Sequence, residues 1–242
     1  MTVDLERDGA IARVLLNRPA KANALTSPIL DELAAALEAL AGDASLRVVV
    51  LGGAGKAFCG GADVDELSRL DAASAGAFVG RIHRACEALR RLPVPVVARL
   101  HGAVIGAGLE LAAACDLRMA AEGTRFAMPE VRLGIPSVVE AALLPRLMGS
   151  GRAAWLVLTG EAIDARRAFE WGLVEQVCAD IDAGVNALVE KLLAGDPGAL
   201  AEQKRLLHLW DEAPLEASVA RSIERFAAAY AAGKPRGMLP TG

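Results

Sequence analysis

The sequence predicts an α/β fold whose C-terminal part is helical. Three observations carry this reading. Short β-branched runs alternate with amphipathic helical stretches in the N-terminal half, glycine-rich turns follow two of those runs, and from about residue 138 the pattern is almost entirely helical. With 242 residues, 54% of them hydrophobic and 23% charged, the chain can bury a sizeable core.

The first strand is AIARVLL (10–16). A helix follows over 27–40, where Ser27 suits the N-cap and Pro28 the first helical position, with Ile29, Leu33, Leu37 and Leu40 on one face. LRVVVL (46–51) is the second strand. Residues 75–91 form a second helix, with Phe78, Ile82, Ala85 and Leu89 at helical spacing. VPVVARL (94–100) is the third strand. Beyond 138, helical stretches are broken mainly by glycine and proline. The expected division is an α/β core over 1–180 and a helical region over 181–242, with GKPRGMLPTG (233–242) frayed.

Composition excludes several classes. Net charge is −4 with Lys and Arg scattered, so no footprint for nucleic acid exists. No run of about 18 residues is free of charge, which argues against a membrane span. Residues 1–10 lack an apolar signal core, so a soluble, cytoplasmic protein is expected. Cys59, Cys86, Cys115 and Cys178 form no C-x-x-C, and His83, His101 and His208 have no zinc-ligand spacing. Hence no metal is expected and the cysteines read as buried thiols.

The two glycine turns are GGAGKAFCGGADVDEL (52–67) and HGAVIGAGLELAAACD (101–116). Each reads as strand, tight loop and helix start, where backbone N–H groups are unpaired. Two such turns facing one pocket can offer two N–H donors to one oxygen, an oxyanion hole. Neither meets a nucleotide motif: Ala57 stands where a P-loop needs Ser or Thr, and Leu111 where a dinucleotide fingerprint needs Gly or Ala. Glycines after strands also make turns with no ligand at all. Glu110 lies in the apolar stretch GLELAAAC, and Glu130 follows FAMP. Alone, either is an ordinary solvated or paired acid. Together beside an oxyanion hole they suit proton transfer around an activated carbonyl. His101 reads as a turn or core histidine, and Trp155, Trp171 and Trp210 as packing residues.

Five segments, NRPAKANALT (17–26), GKAFCGGAD (55–63), HGAVIGAGLELAAACD (101–116), FAMPEVRLGIP (126–136) and TGEAIDARRAFEWGLVEQV (159–177), resemble in order and separation the signatures of the enoyl-CoA hydratase/isomerase (crotonase) family. The resemblance runs from about residue 3 to 233. It implies a spiral of ββα units with a helical C-terminal trimerisation region, assembled as a homotrimer or a homohexamer of stacked trimers. It implies backbone donors at Ala62 and Ala107, the latter a position usually held by glycine, and Glu110 and Glu130 as the pair that holds and activates water. Lys21, Ala22 and Ala24 resemble the loop that touches the CoA nucleotide. Ala62, Asp63, Val64 and Asp65, with Gly106, resemble the acyl–pantetheine lining. The implied reaction is hydration of a 2-trans-enoyl-CoA, with CoA as part of the substrate and no other cofactor. Δ3,Δ2-enoyl-CoA isomerisation through Glu130, other acyl-CoA thioester chemistry, and a non-catalytic acyl-CoA binder are the alternatives.

The chain departs from the family at 137–140. Ser137 replaces a glycine, and Val138, Val139 and Glu140 replace small residues. This segment is expected to shape the acyl pocket, with Glu140 either a third acid of the site or a favourable charge on a helical first turn. The chain ends at GMLPTG where many relatives continue, which implies weaker contacts to the CoA adenine.

Overall fold

The computed structural model describes residues 2–231. Along the chain run β1 (Val3–Asp8), β2 (Ile11–Leu16), α1 (Ser27–Ala41), β3 (Val48–Gly53), α2 (Val64–Leu67), α3 (Ala75–Arg91), β4 (Val96–Leu100), β5 (Ala103–Ile105) and α4 (Ala107–Ala114). Then come β6 (Leu117–Ala121), β7 (Arg125–Ala127), α5 (Leu144–Met148), α6 (Ser150–Thr159), β8 (Ile163–Asp164), α7 (Ala165–Trp171), β9 (Gln176–Cys178), α8 (Ile181–Leu193), α9 (Pro197–Glu212) and α10 (Leu215–Ala231). Short 3₁₀ turns cover Pro19–Lys21, Glu130–Leu133 and Val139–Leu143.

The strands form two sheets. The larger has the order β1-β2-β3-β4-β6-β9, and the smaller β5-β7-β8. β1 and β2 are an antiparallel hairpin, while β2, β3, β4, β6 and β9 pair in parallel. The chain crosses from large to small sheet at β4–β5 and again at β6–β7, which makes each repeat two strands in different sheets. That alternation is the spiral the family resemblance implies.

All six residues of β3 are buried, which explains why its sequence is a continuous apolar run and not an alternating one. Val49 and Leu51 face one core with Leu33, Leu37, Phe78 and Leu89, whereas Val48 and Val50 face a second core with Ile181, Val185 and Val189. Helices α1 and α3 cover one face of the large sheet and α8 the other. Accordingly the first compact unit runs to Ala194 and the second from Gly195, so α8 belongs with the sheet it covers. The expected division at 180/181 separates α8 from that sheet.

Strands β2, β3 and β4 and helices α1 and α3 lie where the pattern predicts them. Three corrections follow. The N-cap of α1 is Thr26, and Ser27 instead gives its N–H and hydroxyl to Glu66. Loop HGAVIG contains β5, and the helical stretch beyond 138 contains β8 and β9. These strands are only two or three residues long, too short to show a period. Trp155 and Trp171 pack edge to face at 5.4 Å, and the four cysteines are buried and in no disulfide. No described helix is long and apolar enough to cross a membrane.

The second unit is described by itself. Asp196 caps α9 through Ala199 N (2.8 Å), with Pro197 at its first position. Trp210 donates to Ser222 (3.0 Å) across the helix pair. Leu215, Val219, Ile223, Phe226 and Tyr230 form an exposed apolar stripe along α10. The tail expected to fray, 233–242, lies outside the described residues.

Candidate active site

Two turns bring the expected donors together. Gly61 has φ +97° and lies so close to β5 that a Cβ there would stand 2.8 Å from Ile105 O and 3.8 Å from Ala107 N. Leu25 pairs with the residues flanking Ala62, through Leu25 N to Gly61 O and Asp63 N to Leu25 O, both 2.8 Å. That pairing turns the Ala62 N–H away from Leu25. Ala107 opens α4, where the first N–H groups have no intrahelical acceptor.

The carboxylates sit beside these turns. Every residue of α4 is buried, as suits a helix apolar on all sides, so Glu110 is buried by its position. Ala141 N donates to Glu110 Oε1 at 3.3 Å. Burial first, then the charge of Glu130, with a smaller push from Glu140, raise the Glu110 carboxyl to about 8 against the opposing Ala141 hydrogen bond. Glu130 opens the 3₁₀ turn after β7 and accepts the Ser137 hydroxyl at 3.0 Å. Its Oε1 lies against Gly106 at φ +52°, leaving no room there for a side chain. Glu140 is also buried. Its Oε1 is 2.7 Å from His83 Nδ1 and its Oε2 has no partner. Segment 137–141 therefore touches both expected glutamates, Ser137 by its hydroxyl and Ala141 by its amide.

The expected CoA loop is built around a residue the sequence reading passed over. Asn23, fully buried at φ +57°, donates from Nδ2 to Ala54 O (2.9 Å), Ala57 O (2.8 Å) and Phe58 O (3.2 Å), and accepts from Arg18 N (2.8 Å). Ala22 O takes Gly60 N at 2.8 Å. The loop carrying Lys21, Ala22 and Ala24 is thus bolted to the turn carrying Ala62. Asp63 is buried and committed: it binds Arg18 at 2.6 Å and caps α2 through Glu66 N at 3.1 Å, and the Arg18 hydrogen bond holds its carboxyl below the usual range. Val64 is exposed, and Lys21 and Asp65 form an exposed pair at 3.2 Å. Asn in a turn is a signal for the left-handed conformation and was available in NRPAKANALT. His83 carried no signal, because 57 residues separate it from Glu140.

His101 is placed by Arg99 (3.0 Å to Nδ1) and Gly55 O (3.1 Å to Nε2), with burial lowering its pKa, as suits a neutral structural histidine. Among the described residues no group of three His, Cys, Asp or Glu is arranged to hold a metal.

A two-sheet spiral with a buried glutamate on its central helix and two glycine turns converging beside it defines the crotonase class of fold. The comparisons agree. The profile of the enoyl-CoA hydratase/isomerase family matches residues 6–232. The chain is 32% identical to a short-chain-enoyl-CoA hydratase of Clostridium acetobutylicum, over 93% of this chain and 87% of the relative. It is 34% identical to the 2,3-dehydroadipyl-CoA hydratase of Escherichia coli, over 92% and 88%. The crystal structure of an enoyl-CoA hydratase from Mycobacterium smegmatis superposes with a TM-score of 0.91 at 34% identity, covering 94% of this chain and 90% of that one. The chain belongs to the enoyl-CoA hydratase/isomerase family.

Proposed function

We propose that this protein is a hydro-lyase that adds water reversibly to a 2-trans-enoyl-CoA. The observation that carries the reading is the buried Glu110 carboxyl, raised to about 8 beside Glu130. Near neutrality such a group is an acid, and a partner carboxylate that accepts a hydroxyl proton, as Glu130 does from Ser137, is the natural base. In the reaction Glu130 takes a proton from water, the oxygen bonds to C3, charge moves onto the thioester oxygen, and Glu110 delivers a proton to C2. The N–H groups of Ala62 and Ala107 stabilise the transient oxyanion.

Carbonyl activation by two N–H groups and proton transfer by two carboxyls need no metal or redox cofactor; CoA arrives as part of the substrate. Lys21, Ala22 and Ala24 are assigned to the CoA nucleotide. Ala62, Val64, Asp65 and Gly106 are assigned to the acyl–pantetheine arm, with Asp63 holding that turn in place. Homotrimer or homohexamer assembly is supported by the apolar stripe on α10, which needs a partner surface. A cytoplasmic setting, where thiols stay reduced, suits four buried cysteines that form no disulfide.

The test is turnover of crotonyl-CoA, followed by loss of enoyl-thioester absorbance and by product mass. Gain of one water is expected, and Glu110→Gln and Glu130→Gln should each abolish most turnover while CoA binding persists. Unchanged mass with 2-enoyl-CoAs of several lengths refutes hydration. Conversion of 3-enoyl-CoA to the 2-isomer would then mark an isomerase, and wild-type rates in both variants would remove the glutamates from the chemistry.

A further inference from the structure

The two glutamates are held in different ways. Glu110 stands on α4, every residue of which is buried, so packing on all sides limits where its carboxyl can point. Glu130 is half-buried at the head of the 3₁₀ turn Glu130–Leu133, and every residue from 131 to 136 is exposed. An exposed turn supplies few packing contacts, so the three side-chain torsions of a glutamate there must be fixed by something else. The backbone of the turn is secure. Arg132 N donates to Pro129 O at 2.8 Å and Ile135 N to Glu130 O at 3.2 Å, Gly134 reverses the chain at φ +78°, and Arg132 Nε ties the turn to Thr159 O at 3.0 Å. These bonds place the Cα of Glu130 and leave its carboxyl unfixed.

Two contacts fix the carboxyl. Oε1 lies against Gly106, where a Cβ would stand 2.3 Å away, and Oε2 accepts the Ser137 hydroxyl at 3.0 Å. The first is a steric limit on one side and supplies no attraction. Among the described residues, Ser137 is the one hydrogen-bond donor to this carboxyl. Gly106 immediately precedes Ala107, so the orientation that the two contacts select keeps the carboxyl beside the turn bearing the proposed oxyanion donor. Ser137 donates from an anchored segment: Glu140, three residues on, is buried with Oε1 at 2.7 Å from His83 Nδ1 on α3, and Ala141 N reaches Glu110 Oε1 at 3.3 Å.

We propose that Ser137 is a positioning residue that acts through Glu130: its hydroxyl fixes the direction of the Glu130 carboxyl, and with it the place where water is held for addition to the enoyl thioester. The proposal deepens the hydration reading and rests on it for the meaning of the fixed carboxyl. Two other roles for the same bond have different consequences. A hydroxyl that only closes the loop between 130 and 137 acts on stability and not on rate. A hydroxyl that competes with water for Glu130 slows the reaction, so its removal speeds turnover.

The experiment compares wild type, Ser137→Ala and Ser137→Thr by steady-state kinetics on crotonyl-CoA, by urea unfolding and by crystal structures without substrate. Ser137→Ala should lower kcat about 10-fold or more while KM stays within about twofold, because the lost bond orients the base and does not hold the substrate. Its urea midpoint should stay near that of wild type, and its Glu130 carboxyl should leave the single wild-type orientation. Ser137→Thr keeps a hydroxyl and should recover most of the rate. An unchanged or raised kcat in Ser137→Ala overturns the proposal, and so does a Glu130 that keeps its wild-type orientation without the hydroxyl. Should Ser137→Ala not fold, Ser137→Gly removes the same donor and is read in the same way. The crystallographic comparison needs no turnover. A Glu130 carboxyl that swings away in Ser137→Ala, in a protein whose wild type hydrates no 2-enoyl-CoA, keeps the positioning and discards the hydration reading; hydration at an unchanged rate in Ser137→Ala does the reverse.

Discussion

Replacing Glu110 by glutamine should make the protein more stable as well as inactive, and the gain should grow with pH. The carboxyl ionises at about 8 in the fold and at an ordinary 4.5 in the unfolded chain. Between those values the folded chain holds a proton that the unfolded chain has released, so raising the pH favours unfolding. The stability linked to this group is complete below about 4.5 and is lost as pH rises through about 8. At pH 7 about 2.5 pH units of that interval have been crossed, which at about 1.4 kcal/mol per unit is about 3 kcal/mol. Glutamine carries no such cost and keeps an oxygen for the Ala141 N–H. Urea unfolding of wild type and Glu110→Gln at pH 5, 6, 7 and 8, at one fixed protein concentration, should therefore show a difference of about 1 kcal/mol or less at pH 5 that widens to about 3 kcal/mol at pH 7. Titrating groups other than Glu110 and the two carboxyls coupled to it, Glu130 and Glu140, cancel in the comparison. A difference that stays constant with pH would refute the claim that burial holds this proton.

Three further outcomes follow from the same geometry. On the proposed hydration, in which the acid form of Glu110 protonates C2, turnover should fall as pH rises through about 8. A rate that stays level up to about pH 9.5 would contradict that assignment. Gly106→Ala should cost ~100-fold or more in kcat, because the new Cβ collides with Glu130 Oε1 and the backbone there is left-handed; steady-state kinetics at saturating substrate check it. Asn23→Ala leaves the buried carbonyls of Ala57 and Phe58 without their donor and should cost about 2–4 kcal/mol in unfolding free energy. It should also raise KM for the CoA thioester, since the loop bearing Lys21 loses its bolt to the turn bearing Ala62.

Much of the site was legible because it is local. Gly61, Gly106 and Glu110 stand within turns whose glycine spacing is visible in the chain, and the apolar stretch around Glu110 already implied burial. Ser137 and Glu140 stood out as departures from the family pattern. Asn23 was missed because its importance lies in three carbonyls more than 30 residues away. In the fold, α1, α3 and β3 were readable because each is long enough to show its period. β5, β8 and β9 were not, since two or three residues carry no period and their pairing is entirely long-range.

The sequence by itself determined the α/β class, the long elements and the two glycine turns, and it singled out Glu110 and Glu130 as candidates. These depend on side-chain periodicity and on the steric freedom of glycine, both properties of neighbours along the chain. The tertiary structure alone decided how far the Glu110 carboxyl is raised, what Glu140 touches, and that α8 belongs with the sheet. Those answers depend on burial and on distances between residues far apart in the chain. A carboxyl's charge follows the dielectric and the charges around it, and only the folded chain brings α3, α4 and the 137–141 segment close enough to set them.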